Sequence, residues 1–270
     1  MNDVSVIIPT WNRAEAIEKA VRSALEQTVP PLEVLVCDDG STDNTYYIVG
    51  SINDPRVKWI DGVRGGRPAI PRNRGIRESK GEWFAFLDSD DEWFANKLEK
   101  QLTVAEELNC LAVCSNSLRL IPEKGSQGSL LLYDKDRICF DDLLEVNQVI
   151  CSSSLVHRSI FDQVLGFPED ACLTAIEDYA LWLRVVSQTD FAYVKEPLLV
   201  YRDDPGNSIR NPDTSTVWMQ RKFVLSNFLD WSEKRKISTD YMTNVIKEYK
   251  KSSRLARRQK CFSFLKKLVP

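Results

Sequence analysis

The chain opens on a β-branched apolar run, VSVIIP at 4–9, closed by a proline, which reads as a buried strand. Between 13 and 27 the period changes: Ala16, Ile17, Ala20, Val21, Ala24 and Leu25 fall on one side of a helix. LEVLVCDDGS (32–41) is a second apolar strand ending in carboxylates, and TDNTYYIVGSI carries a second helix with Thr42 or Asp43 placed to cap it. VKWIDG (57–62) predicts a third strand, PAIPRNRGIRESKG (68–81) a loop leading into a helix, and EWFAFLDSDD a fourth strand. Such alternation predicts an α/β fold whose central sheet is parallel and covered on both faces. In sheets of that kind ligands bind beyond the carboxyl ends of the strands.

The pattern continues less regularly. Residues 95–109 form a helix with a mixed face, 110–121 a strand and 124–129 a loop. FDDLLEVN reads as helical, and VICSSSLVHRSIFDQVLGF as a strand followed by a helix. Residues 176–188 predict a half-buried helix, 191–202 one or two strands, and 214–270 a mostly helical extension. We expect one domain over 1–213, divided into a ligand-binding half (1–110) and an acceptor half (111–213), and then the extension over 214–270. There is no internal repeat and no low-complexity tract.

Composition narrows the classes. With 270 residues, 43% hydrophobic and 28% charged, the chain can bury a sizeable core. A net charge of −3 gives no reason to expect nucleic acid. No run approaches the roughly 20 apolar residues of a membrane span, and the N-terminus lacks the pattern of a signal peptide. Six of the seven cysteines, Cys37, Cys110, Cys114, Cys139, Cys151 and Cys172, sit mostly among apolar neighbours, so we expect reduced core thiols in a cytoplasmic protein. His157 is the only histidine, which argues against a zinc site and a Ser-His-Asp triad.

The chemistry concentrates at strand ends. Asp88, Asp90 and Asp91 in FLDSDDEW offer hard oxygen ligands suited to Mg²⁺ or Mn²⁺, and the alternative is a solvated acidic turn. Asp38 and Asp39 follow the second strand, with Gly40 to turn the backbone. They could accept from a ribose hydroxyl or a uracil imide N–H, or form an Asx turn. Arginines in GGRPAIPRNRG (65–75) suit phosphate, and Arg72 and Asn73 are best placed to face a ligand. Two acidic clusters on one sheet edge favour a site over two unrelated turns.

VSVIIPTWNR, EVLVCDDGSTDNT, RNRGIRESKGEWFAFLDSDDEW and EDYALWLRV stand in an order and spacing that resembles family 2 glycosyltransferases of the GT-A fold. The likeness covers about residues 4–205. It implies a Rossmann-like, mostly parallel central sheet flanked by helices. It also implies inverting transfer of a sugar from a nucleotide diphosphate, with UDP the commonest carrier.

By the same resemblance Thr10 and Trp11, with Pro9 and Arg13 in their motif, line the base pocket. Asp39, beside Asp38, meets the base, and Arg72 lies near the donor. The family's D-x-D falls on Asp88 and Asp90, with Ser89 between them, and Asp90 and Asp91 reach the ribose and the metal. The catalytic base falls on Asp178, with Glu177 before it; this position also has the simpler reading of a helix N-terminal acid.

Two departures bear on function. The Q-x-x-R-W of processive members is absent, so addition of a single sugar is expected. Where many relatives carry a histidine, YRDDPGNS (201–208) offers Asp203 or Asp204, and Asp204 is taken as a third metal ligand. His157 is expected to be structural or to touch the acceptor. The acceptor is expected to be a saccharide or lipid-linked saccharide of bacterial surface polysaccharide or lipopolysaccharide. A sugar-nucleotide nucleotidyltransferase would want a glycine-rich phosphate loop after the first strand, which PTWNRAEA is not. A nucleotide-sugar-binding module without catalysis has no use for Asp178.

Locally the charge reverses. Residues 245–270 hold nine Lys or Arg against one acid, Glu248, interleaved with Phe262, Phe264, Leu265 and Leu268. That mixture suits peripheral contact with an anionic membrane at its inner face, and equally a helix packed on its own domain.

Overall fold

The computed structural model describes residues 3–204, 217–235 and 241–268, with side chains described as far as Ala256. The expected domain boundary at 213, the Pro205–Ser208 part of the acidic loop, and the apolar side chains of the tail lie outside the described residues.

The first half follows its hydrophobic pattern. Strands β1 (Val4–Thr10), β2 (Glu33–Asp38), β3 (Val57–Ile60) and β4 (Trp83–Phe86) alternate with helices α1 (Ile17–Leu25), α2 (Thr45–Ser51) and α3 (Ala69–Glu78). The four strands are parallel in the order β3-β2-β1-β4. Side chains alternate across the sheet, so the β-branched run serves two cores. Val4, Val6 and Ile8 pack with α1, while Ile7 joins Leu35, Phe84 and Phe86 on the opposite face. A Cβ on Gly75 of α3 would stand 2.6 Å from Cys37 Sγ and 2.8 Å from Ile7 Cγ2, so glycine is what lets this helix lie close on β1 and β2. Neither expected cap holds the N-cap position of α2, which is Asn44 with no side-chain cap bond; Asp43, one residue earlier, accepts from Thr45 N at 3.0 Å through Oδ1.

Among the described residues the second half completes a ten-stranded sheet. It comprises β5 (Glu92–Trp93), α4 (Lys97–Glu107), β6 (Ala112–Ile121), β7 (Gly125–Ser129), β8 (Arg137–Ile138), α5 (Phe140–Glu145), β9 (Leu155–His157), α6 (Arg158–Val164), α7 (Glu177–Val186) and β10 (Phe191–Arg202). Here β9 lies antiparallel between β4 and β6, and β10 runs parallel to β6. β10 is one strand with two register shifts around Val194–Val200, which is why its sequence reads as one strand or two.

Three expectations need correction. Residues 125–129 form a strand, not a loop: they pair with β6 while every side chain stays exposed, so no hydrophobic alternation marks them. Helix α7 is buried from Ala180 to Val186, not half-buried, because α8 (Val217–Lys234) covers its outer face with Val224, Leu225, Phe228 and Trp231. Cys172 is exposed and Cys139 half-buried, whereas the other four described thiols are in the core. Helix α9 (Met242–Leu268) packs on α8, as expected for a helical extension. Among the described residues no helix is long and apolar enough to cross a membrane.

Candidate active site

Parallel register sets the site. Thr10 pairs with Asp38 where β1 and β2 end, and Leu87 N, just past β4, donates to Ile7 O. The segments leaving all three strands therefore emerge on one edge, where they meet the N-terminus of α7 and the far end of β10. Between them is a cleft of about 540 Å³. Asp39, Asp88, Asp90, Asp178 and Asp204 line it, and so do Pro9, Thr10, Trp11, Arg13, Arg72, Ser89 and Glu177.

Three predicted residues do not line it. Asp38 turns inward, and its Oδ2 accepts from Gly40 N and Ser41 N, each at 2.9 Å; this is the Asx-turn alternative. Asn73 donates to Phe167 O at 2.9 Å and accepts from Phe167 N at 2.8 Å, so it ties α3 to the 166–169 turn. Asp91, expected on the metal, is buried and accepts from Ser152 Oγ at 2.6 Å and Arg202 N at 2.8 Å. It holds β10 against the acidic loop. Neighbouring acids alternate sides where the chain leaves a strand, so one of each pair is structural.

One end of the cleft is organised by Asp39, whose carboxylate is only 3% exposed. Oδ1 accepts from Gly65 N at 2.7 Å; Oδ2 accepts from Gly66 N at 2.8 Å and Arg64 Nη1 at 2.5 Å. The Arg64 guanidinium lies 3.6 Å from the centroid of the Trp11 ring. Asn12, in the left-handed region at φ 48°, joins this loop to the next: its N donates to Ser41 Oγ at 2.9 Å and its Oδ1 accepts from Thr42 N at 2.8 Å. Thr10 Oγ1 is buried here without a hydrogen-bond partner, a group that a polar ligand would satisfy.

Arg72 crosses the floor. It is 3% exposed and donates from Nη2 to Asp88 Oδ1 and from Nη1 to Glu177 Oε1, both at 2.6 Å. This bridge fixes the loop after β4 relative to the start of α7, and so Asp90 relative to Asp178. Helix α7 is anchored by Trp182, fully buried among Phe86, Phe167 and Phe191. Asp178 occupies its first turn, accepting from Tyr179 N at 2.7 Å.

Asp90 lies 3.5 Å from Arg13 Nη2. Burial, then repulsion from Asp88, raises its pKa. A divalent cation beside the pair would relieve that repulsion, and hard carboxylate oxygens are ligands Mg²⁺ and Mn²⁺ accept. Among the described residues no three Asp, Glu, His or Cys side chains enclose a metal site by themselves. The residues therefore fit a cation that takes the rest of its shell from ligand phosphates and water.

Of the two acids in the 201–204 segment, Asp203 accepts from Arg119 Nε at 2.8 Å, and Asp204 is the other acid lining the cleft. His157 caps α6, accepting from Ser159 N at 3.3 Å, and packs edge-on against Trp83; it does not line the cleft. Sequence reasoning missed Arg64, Arg119, Tyr201 and Arg202, all of which line it. Arg64 adjoins the glycine-rich loop, and Tyr201 and Arg202 open the YRDDPGNS segment, so all three are within reach of the sequence; Arg119 sits inside a strand pattern that carries no local sign of function.

The fold is that of a GT-A glycosyltransferase. The crystal structure of S. aureus TarS 1–349 matches with a TM-score of 0.70 at 18% identity, covering 93% of this chain and 71% of that one. The mannosyltransferase PcManGT from Pyrobaculum calidifontis, solved with GDP-Man and Mn²⁺, matches at 0.60 and 17% identity, covering 95% and 73%. Residues 5–165 match the profile of Glycosyl transferase family 2. A UDP-Glc:α-D-GlcNAc-diphosphoundecaprenol β-1,3-glucosyltransferase, WfgD of Escherichia coli, is 31% identical over 191 residues, spanning 71% of this chain and 72% of that one. A putative teichuronic acid biosynthesis glycosyltransferase, TuaG of Bacillus subtilis (strain 168), is 30% identical over 222 residues, spanning 81% and 84%. The chain belongs to glycosyl transferase family 2, and it is a glycosyltransferase enzyme. That sets aside the nucleotidyltransferase alternative.

Proposed function

We propose that this enzyme transfers one sugar, with inversion, from a UDP-sugar to a lipid-linked saccharide during assembly of a bacterial surface polysaccharide. The observation that carries the reading is the convergence of Asp39, Asp88, Asp90 and Asp178, from three separate stretches of chain, on one cleft. WfgD and WfaP of Escherichia coli, both named for UDP-glucose and a diphosphoundecaprenol acceptor, support the donor and acceptor classes.

In this reading Trp11 and Asp39 receive the base, and Arg13, Arg72 and Ser89 border the diphosphate. Asp88 and Asp90 would hold a Mg²⁺ or Mn²⁺ ion together with the diphosphate and water, with Asp204 bordering the same cleft; the ion would supply charge stabilisation for the departing nucleotide diphosphate. Asp178 accepts the proton of the acceptor hydroxyl as that oxygen attacks the anomeric carbon, a contribution of about 10²–10⁴-fold in rate. The nucleotide diphosphate leaves from the opposite face, so one displacement inverts the anomeric configuration. Glu177 acts indirectly: by pairing with Arg72 it holds Asp178 and the acidic loop in register.

The tail belongs to the same reading. Val245, Ser252 and Ala256 face the domain, while Lys247, Lys250, Lys251 and Arg254 are exposed on the other side of α9. That basic face would hold the enzyme at the anionic inner surface of the membrane, close to a lipid-linked acceptor.

The test is product analysis. Given a panel of UDP-hexoses, Mn²⁺ and a diphosphate-lipid-linked GlcNAc acceptor, the enzyme is expected to form a single glycosidic bond. NMR of the product should give an anomeric configuration opposite to that of the donor. A retained configuration, or no transfer from any UDP-sugar, would remove the proposal.

A further inference from the structure

We infer that Arg64 fills the nucleobase subsite while no donor is bound, and that the base must exchange with it to enter. The inference rests on the reading that the Trp11 and Asp39 end of the cleft receives the base. A base needs two things there, a flat aromatic face and an acceptor for a ring N–H. One guanidinium already satisfies both: it stacks 3.6 Å from the Trp11 centroid and donates from Nη1 to Asp39 Oδ2 at 2.5 Å. A planar cation is a close physical substitute for a base edge, able to stack and donate at once.

Two geometries could admit a base. Arg64 could lift and cover the ring from above, or its side chain could swing away. A ring between Trp11 and the guanidinium needs two contact layers of about 3.5–4 Å each, and one layer is present. Lifting the backbone is opposed on two sides. Gly65 N and Gly66 N are bonded to Asp39 at 2.7 and 2.8 Å. Gly40, at φ +78°, lets the chain pass so close that a Cβ there would stand 2.9 Å from Arg64 N. The side chain is less constrained: it is 43% exposed and ends at the mouth of the cleft. The backbone of 64–66 therefore stays on Asp39, and the guanidinium leaves.

The exchange also defines the incoming group. Asp39 Oδ1 stays bonded to Gly65 N and Oδ2 to Gly66 N, so departure of Arg64 frees the acceptor direction of Oδ2 that it held. A base with a single ring N–H between two carbonyls, as in uracil or thymine, fills it. Cytosine and adenine have no ring N–H on that edge at neutral pH.

Isothermal titration of UDP into the wild type, Arg64→Ala and Arg64→Lys tests this. Removing the competitor should tighten UDP binding by about tenfold in Arg64→Ala, equivalent to about 1.4 kcal/mol. Arg64→Lys keeps the charge on Asp39 but loses the stacked plane, so it should fall between. Should Arg64→Ala fail to fold, Arg64→Lys is read in the same way. Weaker or unchanged binding in the variants, with UDP bound by the wild type, would overturn the exchange and leave the base subsite standing. If neither wild type nor variant binds UDP, the donor assignment falls, and the inference with it.

Discussion

Asp90 is a carboxylate whose surroundings oppose its charge. Burial and the neighbouring Asp88 raise its pKa, so above that folded value the native state carries an unfavourable anion that the unfolded chain does not. Its contribution therefore runs opposite to that of a salt-bridged acid: stability improves as pH falls toward the raised pKa. Asp90→Asn removes the penalty. In cation-free buffer at pH 8 we expect its melting temperature to rise by a few degrees, a gain that shrinks on acidification, while transfer activity is lost. Scanning calorimetry from pH 5 to 8 checks this. A melting temperature below wild type at pH 8 would mean that Asp90 is a net structural anchor. The same residue scale set the limit of sequence reading. Asp38 and Asp39, or Asp90 and Asp91, are indistinguishable in the sequence. Which acid of each pair faces the cleft depends on how the chain turns as it leaves the strand, so the sequence does not mark Asp38 and Asp91 as the two that tie loops together.

At the scale of elements, α4 has an internal cost. Lys97 is fully buried: its Nζ donates to Gln101 Oε1 at 2.6 Å and stands 4.0 Å from the Trp93 centroid, and burial pushes its pKa far down. Between that depressed folded value and the unfolded value near ~10.4, the unfolded chain binds the extra proton, so stability rises with pH across this window. Lys97→Met keeps the volume and removes the charge. It should be neutral or stabilising at pH 7 and flatten the dependence toward pH 9, as denaturant titrations at pH 7 and 9 would report; an unaltered slope would contradict the assignment. Elements with strong patterns are legible for a physical reason: β1, β2, β4 and α1 bury their apolar residues, and the core requires that pattern. β7 is not, because it buries no side chain and pairs only through its backbone. The full burial of α7 was invisible because it depends on α8, more than thirty residues away in sequence.

At the scale of the whole molecule, a parallel half-sheet supplies a rigid edge, α7 delivers a carboxylate to it, and α8 with α9 buttresses α7 from behind. The edge was legible, since two acidic strand ends in a βαβ pattern can only emerge together. The acceptor side was less so, because Arg119, Tyr201 and Arg202 reach the cleft through long-range pairing of β6 with β10. The exposed face of α9 carries the membrane prediction. Charge reversal of Lys247, Lys250, Lys251 and Arg254 to Glu should lower co-sedimentation with phosphatidylglycerol vesicles by about tenfold or more, at roughly 1 kcal/mol per basic residue. Sedimentation equal to wild type would remove α9 as the contact.

The central claim is that acids from distant parts of the chain form one transfer site with Asp178 as its base. Single-turnover transfer from a labelled UDP-sugar, with donor affinity measured on the same samples, tests it most directly. The account predicts that Asp178→Asn slows transfer by about 10²-fold or more while the donor Kd stays within about twofold of wild type. Transfer by Asp178→Asn at the wild-type rate would contradict it.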